Sequence, residues 1–246
     1  MIKLIIICAK AIVITIAALL FASCNQNINF GNGLDGNGNV KTENRTPTAK
    51  FNKIESSRGL EISIEQSNTL LVQVEADENL QKHIIIKVEN ETLIVTTDRD
   101  INDSATKKIT IKMPIIVSLS ADSGASINTK NTIKGTNLIV HADSGSELNA
   151  NAEYETITAD CDSGSTIKLS GKTLKLIANS DSGSDFNATT LLANDVKATA
   201  DSGSSITVHP LVNLIANADS GASIDYKGNP KTIKKTEDSG GSVQNK

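Results

Sequence analysis

The chain has very few aromatic residues, with 4 Phe, 2 Tyr and no Trp among its 246 residues. Aromatic side chains usually supply much of the buried area in a thick globular core. Their scarcity favours a thin core filled by Ile, Leu, Val and Ala. The formal net charge is −4. A chain with this charge and no basic cluster is not expected to bind nucleic acid.

Cysteine is limited to Cys8, Cys24 and Cys161. Cys8 lies in an apolar leader and Cys24 at its end, so no pair remains for a disulfide bond. Cys161 occupies a small, buried position of a repeat described below. We interpret it as a small apolar residue rather than a nucleophile or a metal ligand.

Residues able to build a catalytic site are also sparse. The three arginines, Arg45, Arg58 and Arg99, all precede the repeats, and the three histidines, His83, His141 and His209, occupy non-equivalent positions. Catalytic β-helix sites place unlike groups such as Asp and Lys, Arg or His together. The sequence therefore predicts no catalytic residues, no bound cofactor and no metal site.

Residues 1–23 have the pattern of a secretion signal. Lys3 precedes an apolar run over residues 5–21 that is interrupted by Lys10 and Thr15. The run ends in Phe21-Ala22-Ser23-Cys24, which resembles a bacterial lipobox with Phe in place of the usual Leu. It predicts lipidation of Cys24. An ordinary signal peptide or a membrane anchor are the alternatives, although Lys10 and the short run argue against a permanent span.

Two segments separate this signal from the repeats. Residues 24–49 are rich in Asn, Gly and Thr, and their composition predicts a flexible tether. Residues 50–113 show the period-two alternation of β-strands. This N-terminal β region is either an irregular start to the repeats or a small β-unit that caps them. No amphipathic helix is predicted after residue 24.

The triplet Asp-Ser-Gly occurs seven times, with 18 to 21 residues between successive copies. A period near 20 residues is typical of a solenoid, in which each unit stacks on the next. We predict that every triplet forms a corner, because Gly adopts unusual backbone angles and Asp can bond the backbone two residues on. The predicted corner residues are Asp122 and Gly124, Asp143 and Gly145, Asp162 and Gly164, Asp181 and Gly183, Asp201 and Gly203, Asp219 and Gly221, and Asp238 and Gly240.

Strands are predicted on both sides of each corner. The residue five positions before each Asp is apolar, from Val117 to Ile233, and so is the residue five positions after it, from Ile127 to Val243. The residue just before the Asp is small in most copies, as in Ala142, Cys161 and Ala200. The fold class predicted is all-β: a single-stranded parallel β-helix, or β-solenoid, of about seven coils of about 19 residues. Residues 114–246 form these repeats within a domain that covers residues 50–246.

Stacked corners would bring neighbouring Asp carboxylates to within about 5 Å, where their repulsion in water is about 0.8 kcal/mol. Such a column is tolerable if each carboxylate is solvated or hydrogen-bonded. Bound Ca²⁺ is the alternative. The chain has neither the nine-residue period nor the Gly-Gly-x-Gly-x-Asp pattern of calcium-binding solenoids. A structural corner is therefore the favoured interpretation.

The order of segments resembles a known family. The segments are Phe51-Asn52-Lys53-Ile54, Gly59-Leu60-Glu61-Ile62, Leu93-Ile94-Val95 and Ile109-Thr110-Ile111-Lys112-Met113-Pro114, followed by Ser123-Gly124-Ala125-Ser126-Ile127. This order is similar to the DUF2807 family, the adhesin head or GIN domain, over roughly residues 50–232. The resemblance implies a β-helix in a secreted or lipid-anchored protein of Bacteroidetes-type bacteria. The family provides no catalytic residues to transfer.

We hypothesise a non-catalytic lipoprotein of the bacterial cell envelope, anchored to the outer membrane, whose solenoid is a binding or adhesion module. Its ligand would be a glycan or an envelope protein. Two alternatives remain open at this point: a β-helix enzyme that acts on polysaccharides, and a calcium-binding structural solenoid. Thr does not keep one register across the repeats, which argues against an ice-binding surface.

Overall fold

The computed structural model describes residues 33–246, which form seventeen β-strands and one 3₁₀ turn at Gln81–His83. Within these residues no helix has the length and apolarity needed to cross a membrane. The N-terminal strands are β1 (Val40–Asn44), β2 (Lys53–Ser56), β3 (Glu61–Gln66), β4 (Leu71–Asp77), β5 (Ile84–Glu89), β6 (Thr92–Thr97) and β7 (Lys107–Met113). The repeat strands are β8 (Ser118–Ala121), β9 (Ser126–Thr129), β10 (Ile133–Ala142), β11 (Glu147–Cys161), β12 (Thr166–Ser180), β13 (Asp185–Ala200), β14 (Ser205–Ala218), β15 (Ser223–Tyr226), β16 (Thr232–Glu237) and β17 (Ser242–Asn245).

The repeats stack as a parallel β-solenoid, which confirms the predicted fold class. Each strand pairs with the equivalent strand one coil away, so residues about 19 apart lie side by side. Ala159, Ala178, Ala198 and Ala216, for example, form one row across β11 to β14. Neighbouring layers are separated by about 4.8 Å.

Each interior coil has three sides, which the burial pattern of β13 shows clearly. Alternation of buried and exposed residues breaks at Thr189-Thr190 and again at Asn194-Asp195, and two outward residues in succession mark a bend. The third bend is the Asp-Ser-Gly corner. We call the segments that follow this corner the first side (185–189 in β13), the next segments the second side (190–194) and those that lead into the next corner the third side (195–200).

The core is the narrow space enclosed by the three sides, and it has the predicted composition. The apolar residues five positions after each Asp are all buried, as are Ala142, Cys161 and Ala200 beside the corners. Of the apolar residues five positions before each Asp, five are buried and Val117 is half-buried, and the prediction is wrong for Ile233 of β16, which is 42% exposed. It belongs to the last full coil, where only the short strand β17 continues the stack and no further third side covers it.

The N-terminal β region combines the two predicted alternatives. Strands β2 and β3 pair in parallel with β8 and β9, and β6 and β7 pair in parallel with β2 and β3, so both pairs add layers to the solenoid. The outer edge is then covered by antiparallel strands. β5 pairs with β6, and β4 pairs with β7. The spatial order of layers therefore differs from the chain order.

Part of the segment predicted as a tether is ordered. Residues 40–44 form β1, which pairs antiparallel with β4 in the register Val40 to Asp77. Every residue of β1 is exposed, so its sequence shows no apolar alternation from which a strand could be predicted. Backbone pairing with an open sheet edge is what orders it. The predicted signal, Cys24 and the first residues of the tether lie outside the described residues.

Candidate functional site

All seven Asp-Ser-Gly triplets lie in tight turns in which two successive residues have left-handed backbone angles. The φ angle is 42–54° at the Ser and 69–84° at the Gly. A hydrogen bond of 2.6–3.1 Å from the third amide after each Asp to the Asp carbonyl closes the turn. This geometry is a type I′ turn. The sequence pointed to Gly but not to Ser, because Ser has no special preference for positive φ.

The Asp carboxylate stabilises this unusual Ser conformation. In six of the seven corners the Asp Oδ1 accepts a hydrogen bond from the backbone amide of the next residue, at 2.6–2.9 Å. We expected a bond two residues on, and that expectation is wrong. Because the Ser and the Gly both have left-handed backbone angles, the amide that points at the Asp carboxylate is that of the Ser, one residue on.

The corners are also bonded to one another along the stack. Every Gly amide except that of Gly240, which is in the last corner, donates to the Ser carbonyl of the next layer, as in Gly145 to Ser163 at 3.1 Å and Gly164 to Ser182 at 3.1 Å. The hydroxyl of the next layer's Ser lowers the pKa of three carboxylates, Asp143, Asp181 and Asp219. The column of acids is therefore held by hydrogen bonds within and between layers.

The small residue three positions after each Asp has a role that its size alone does not reveal. In four corners this residue is a buried Ser whose hydroxyl donates to a backbone carbonyl of the preceding layer, at 2.7–2.8 Å. Ser184, for example, bonds the carbonyl of Cys161. The buried hydroxyl thus has a partner and adds a contact between layers.

One corner of the same geometry was missed by the sequence analysis. Ser57-Arg58-Gly59 joins β2 to β3, with φ of 60° at Arg58 and 66° at Gly59. The Gly59 amide donates to the Ser123 carbonyl at 3.0 Å, as the other corners do between layers. The column therefore begins one layer before the first Asp-Ser-Gly. Only the Gly is shared with the motif, so no triplet search could find it.

The carboxylate column does not gather ligands as a metal site requires. Among residues 33–246 no group of three or more His, Cys, Asp or Glu side chains is arranged to hold a metal ion. Each Asp comes from a different layer and is bonded to its own turn. Ca²⁺ takes six to eight oxygen ligands. A single column of carboxylates, with one Asp in each layer, places few oxygen atoms around any one ion.

Calcium should therefore leave the stability of the protein unchanged. We expect the same thermal unfolding midpoint in excess EDTA and in millimolar Ca²⁺, measured by circular dichroism. A cation at one hundred times its dissociation constant would add about 2.7 kcal/mol per site. A rise of several degrees with Ca²⁺, lost when Asp162 and Asp181 are replaced by Ala, would contradict the structural interpretation of the corners.

The candidate ligand-binding surface lies on the first side. A groove of about 510 Å³ is lined by polar residues of β11 to β13, among them Asn149, Lys168 and Asn187. A second groove of about 360 Å³ lies on the same side nearer the N-terminal end and includes Asn128 and Lys130. The Asn149 amide donates to Asn128 Oδ1 at 3.0 Å, so the two grooves adjoin. No signal in a single repeat identifies them, because each coil contributes only a few residues.

A different cleft lies on the second side. It has a volume of about 420 Å³ and contains three exposed leucines, Leu174, Leu192 and Leu211. Glu153 and Lys172 also line the cleft, and Glu153 pairs with Lys134 at 3.0 Å. Tyr154 lies beneath it, 4% exposed, with its hydroxyl bonded to the carbonyl of Ile116.

The residues with potential catalytic chemistry are far apart in the fold. His83 pairs with Asp98 beside the antiparallel strands, at 2.8 Å, while His141 lies on the outer face of β10 and His209 on the second side of β14. Cys161 is buried, and its burial raises the pKa of the thiol. A raised pKa lowers the thiolate fraction on which nucleophilic reactivity depends. This placement agrees with the interpretation of Cys161 as an apolar residue.

Comparisons with known structures agree with this architecture. A putative adhesin from Bacteroides fragilis superposes with a TM-score of 0.80 at 21% identity, over 87% of this chain and 100% of the other. A putative adhesin from Parabacteroides merdae gives a TM-score of 0.66 at 21% identity, over 88% and 100%. A putative lipid binding protein from Parabacteroides distasonis gives 0.69 at 19% identity, over 87% and 99%. At these identities the likeness establishes the fold.

The sequence itself gives the family. No curated protein matches it significantly. A family model described as "Putative auto-transporter adhesin, head GIN domain" matches residues 50–230, which is most of the chain and nearly all of the solenoid. The chain therefore belongs to the DUF2807 family of GIN-domain adhesin heads.

Proposed function

We propose that the chain is a non-catalytic binding module of the bacterial cell envelope, and that its first side holds the ligand. The observation that carries this proposal is the pair of adjoining polar grooves on that side. Their residues come from successive layers in parallel register, so the surface is rigid and repeats along the stack. A long ligand can contact such a surface at many points without a deep pocket. Membership of an adhesin-head family supports the same function.

The solenoid supports binding better than catalysis. Hydrolysis or elimination needs an acid and a base within reach of one bond. The three histidines are separated, and the thiol of Cys161 is enclosed in the core. Side chains of the first-side grooves are mostly amides, hydroxyls and ammonium groups, which bind through hydrogen bonds and charge.

The binding test is a glycan array probed with the purified chain. We expect retention of at least one class of glycan, with the length of the bound polymer unchanged after prolonged incubation. Shortening of the polymer would contradict a non-catalytic role. Failure to retain any glycan, together with failure to retain isolated envelope proteins, would contradict a binding role altogether.

We further propose that the protein is attached to the membrane by lipid at Cys24. The motif Phe21-Ala22-Ser23-Cys24 supports this. Cys24→Ala should move the protein from the detergent phase to the aqueous phase in phase partitioning, or leave the signal uncleaved. Cys161→Ala is the matched control and should partition as the unmodified protein does. Equal partitioning of the Cys24 variant and the unmodified chain would rule out this anchor.

A further inference from the structure

The two first-side grooves adjoin through the hydrogen bond between Asn149 and Asn128, and together they form one channel-like surface along the stack. The groove nearer the N-terminal end is built by β3, β7 and β9, and the other by β11, β12 and β13. These six strands occupy successive layers in the order β7, β3, β9, β11, β12, β13. Five steps of about 4.8 Å give a channel about 24 Å long. We call this surface the first-side channel.

The charges that line the first-side channel are mainly positive, although the protein carries a net charge of −4. Its lysines are Lys108, Lys130 and Lys168, and its one acid is Glu61. Neither Lys108 nor Lys130 forms a salt bridge with any residue in the described range 33–246. These two ammonium groups are exposed and remain available to an anionic ligand.

The carboxylates at the margin of the channel already accept hydrogen bonds from neighbouring side chains. Glu147 accepts from Asn149 at 3.1 Å and from Lys168 at 3.0 Å, and these two contacts, Asn149 foremost, lower the pKa of its carboxyl. Glu65 pairs with Lys112 at 2.8 Å. Asp185 accepts a hydrogen bond from Ser205 at 3.1 Å. The channel thus offers anions two cations without a salt bridge, of which Lys108 lies in register with the channel's own acid Glu61 and Lys130 does not.

The other groups in the channel are suited to hydroxyls. Asn and Ser or Thr side chains both donate and accept hydrogen bonds, and so does each hydroxyl of a sugar. Asn151 of β11 and Asn187 of β13 are exposed in the channel, with the layer of β12 between them. Their side-chain amides have donors that make no hydrogen bond within residues 33–246. A polymer with a hydroxyl-rich repeat could contact the same kinds of group in each layer.

An extended peptide fits the channel less well. Peptides that add to a sheet need a free edge, and β9, β11 and β12 are each paired on both sides. Single-stranded nucleic acid needs aromatic side chains on which bases stack. In the part of the chain that the structure describes, Phe186, Tyr154 and Tyr226 are buried and Phe51 is half-buried.

We propose that the first-side channel binds an extended polysaccharide that carries carboxylate groups, with Lys108, Lys130 and Lys168 contacting the carboxylates and Asn151 and Asn187 the hydroxyls. This inference rests on the proposed function and names the ligand class and the residues of its binding surface. The polymer lies along the stack and spans several layers.

The test measures binding of polygalacturonate, and of alginate as a second carboxylated polymer, to the purified chain by isothermal titration calorimetry. We expect binding of at least one of them that weakens as salt is added, because salt screens exposed charges. Dextran, a neutral polysaccharide, should bind much more weakly. Poly-glutamate, which has carboxylates but no hydroxyls, should also bind much more weakly.

Matched variants locate the binding surface. Lys130→Gln and Lys168→Gln should each weaken binding by about fivefold, as expected for loss of a charged hydrogen bond on an exposed surface. Lys134→Gln is the control for Lys168→Gln, because Lys134 is similarly exposed and also pairs with a Glu at 3.0 Å, but on the second side. Asn187→Ala should weaken binding, whereas Asn137→Ala, an exposed Asn of the third side, should not.

Three outcomes would overturn the inference: no binding of either carboxylated polymer, equal binding of dextran or poly-glutamate, or equal losses in the control variants. These outcomes are distinct from failure of the proposed function. Retention of another glycan or protein elsewhere on the solenoid would leave a binding module intact. Shortening of polygalacturonate or alginate during the titration would instead make the protein an enzyme.

Discussion

Replacing Ala200 by Leu should lower the free energy of unfolding by about 1–3 kcal/mol, the usual cost of overpacking a filled core. Ala200 is 1% exposed and lies beside its corner, in a row with Ser180 and Ala218 of the neighbouring layers. The Ser204 hydroxyl donates to the Ser180 carbonyl at 2.7 Å in the same region. A larger side chain would have to displace this bond or separate the layers. Urea unfolding followed by circular dichroism measures the loss.

Thr199→Leu provides the matched control for this substitution. Thr199 is one residue away and only partly buried, because its side chain points outward from the third side. A Leu there projects toward solvent and should change stability by less than about 0.5 kcal/mol. Equal losses from the two substitutions would show that the inward and outward positions of β13 have been assigned wrongly.

Gly164→Val should also destabilise the protein by about 1–3 kcal/mol, the scale of strain at a special backbone position. The φ angle of Gly164 is +69°, and no heavy atom lies within 4 Å of the position that a Cβ would occupy. The loss therefore comes from the backbone, since a β-branched residue is a genuine outlier at positive φ. The melting temperature should fall equally with and without Ca²⁺.

Gly164→Asn separates backbone strain from other effects. Asn visits left-handed angles far more readily than Val, and the open space around Gly164 admits its side chain. We therefore expect Asn to cost clearly less than Val. Similar losses for Asn and Val would mean that something other than the φ angle limits this corner.

The interior of the solenoid was predictable because each coil repeats the same local rules. The apolar residues around Asp162 and Asp181 alternate with period two, and their neighbours Cys161 and Ser180 are small because the core narrows beside the corner. If the strand register were shifted by one residue, all of these apolar and small residues would lie on the outer face instead of in the core. The repeat thus contains enough information to locate the corners, the phase of the strands and the narrow end of the core.

What the sequence did not predict depends on contacts between distant layers. Strand β1 forms because it pairs with the open edge strand β4, and nothing in the sequence of β1 itself indicates this pairing. The corner at Arg58 shares only its Gly with the Asp-Ser-Gly motif, so the motif does not identify it. The first-side channel combines β3, β7 and β9 with later coils. Predicting it would have required the spatial order of the layers, which differs from the chain order. A bulge near Lys168 further shifts the register that simple spacing would give.

The order of the layers at the N-terminal end has a consequence for how the chain folds. From β8 onward each coil pairs with the coil that follows it in sequence, so pairing can spread from neighbour to neighbour. The layer of β2 and β3 instead lies between β6 and β7 on one side and β8 and β9 on the other. Its residues lie about 39 and 47 positions from their partners in β6 and β7 and about 65 from those in β8 and β9, against about 19 in the regular coils. Such long separations slow folding. We therefore expect folding to begin in the regular coils and the acquisition of native pairing by β2 and β3 to be a late, slower step.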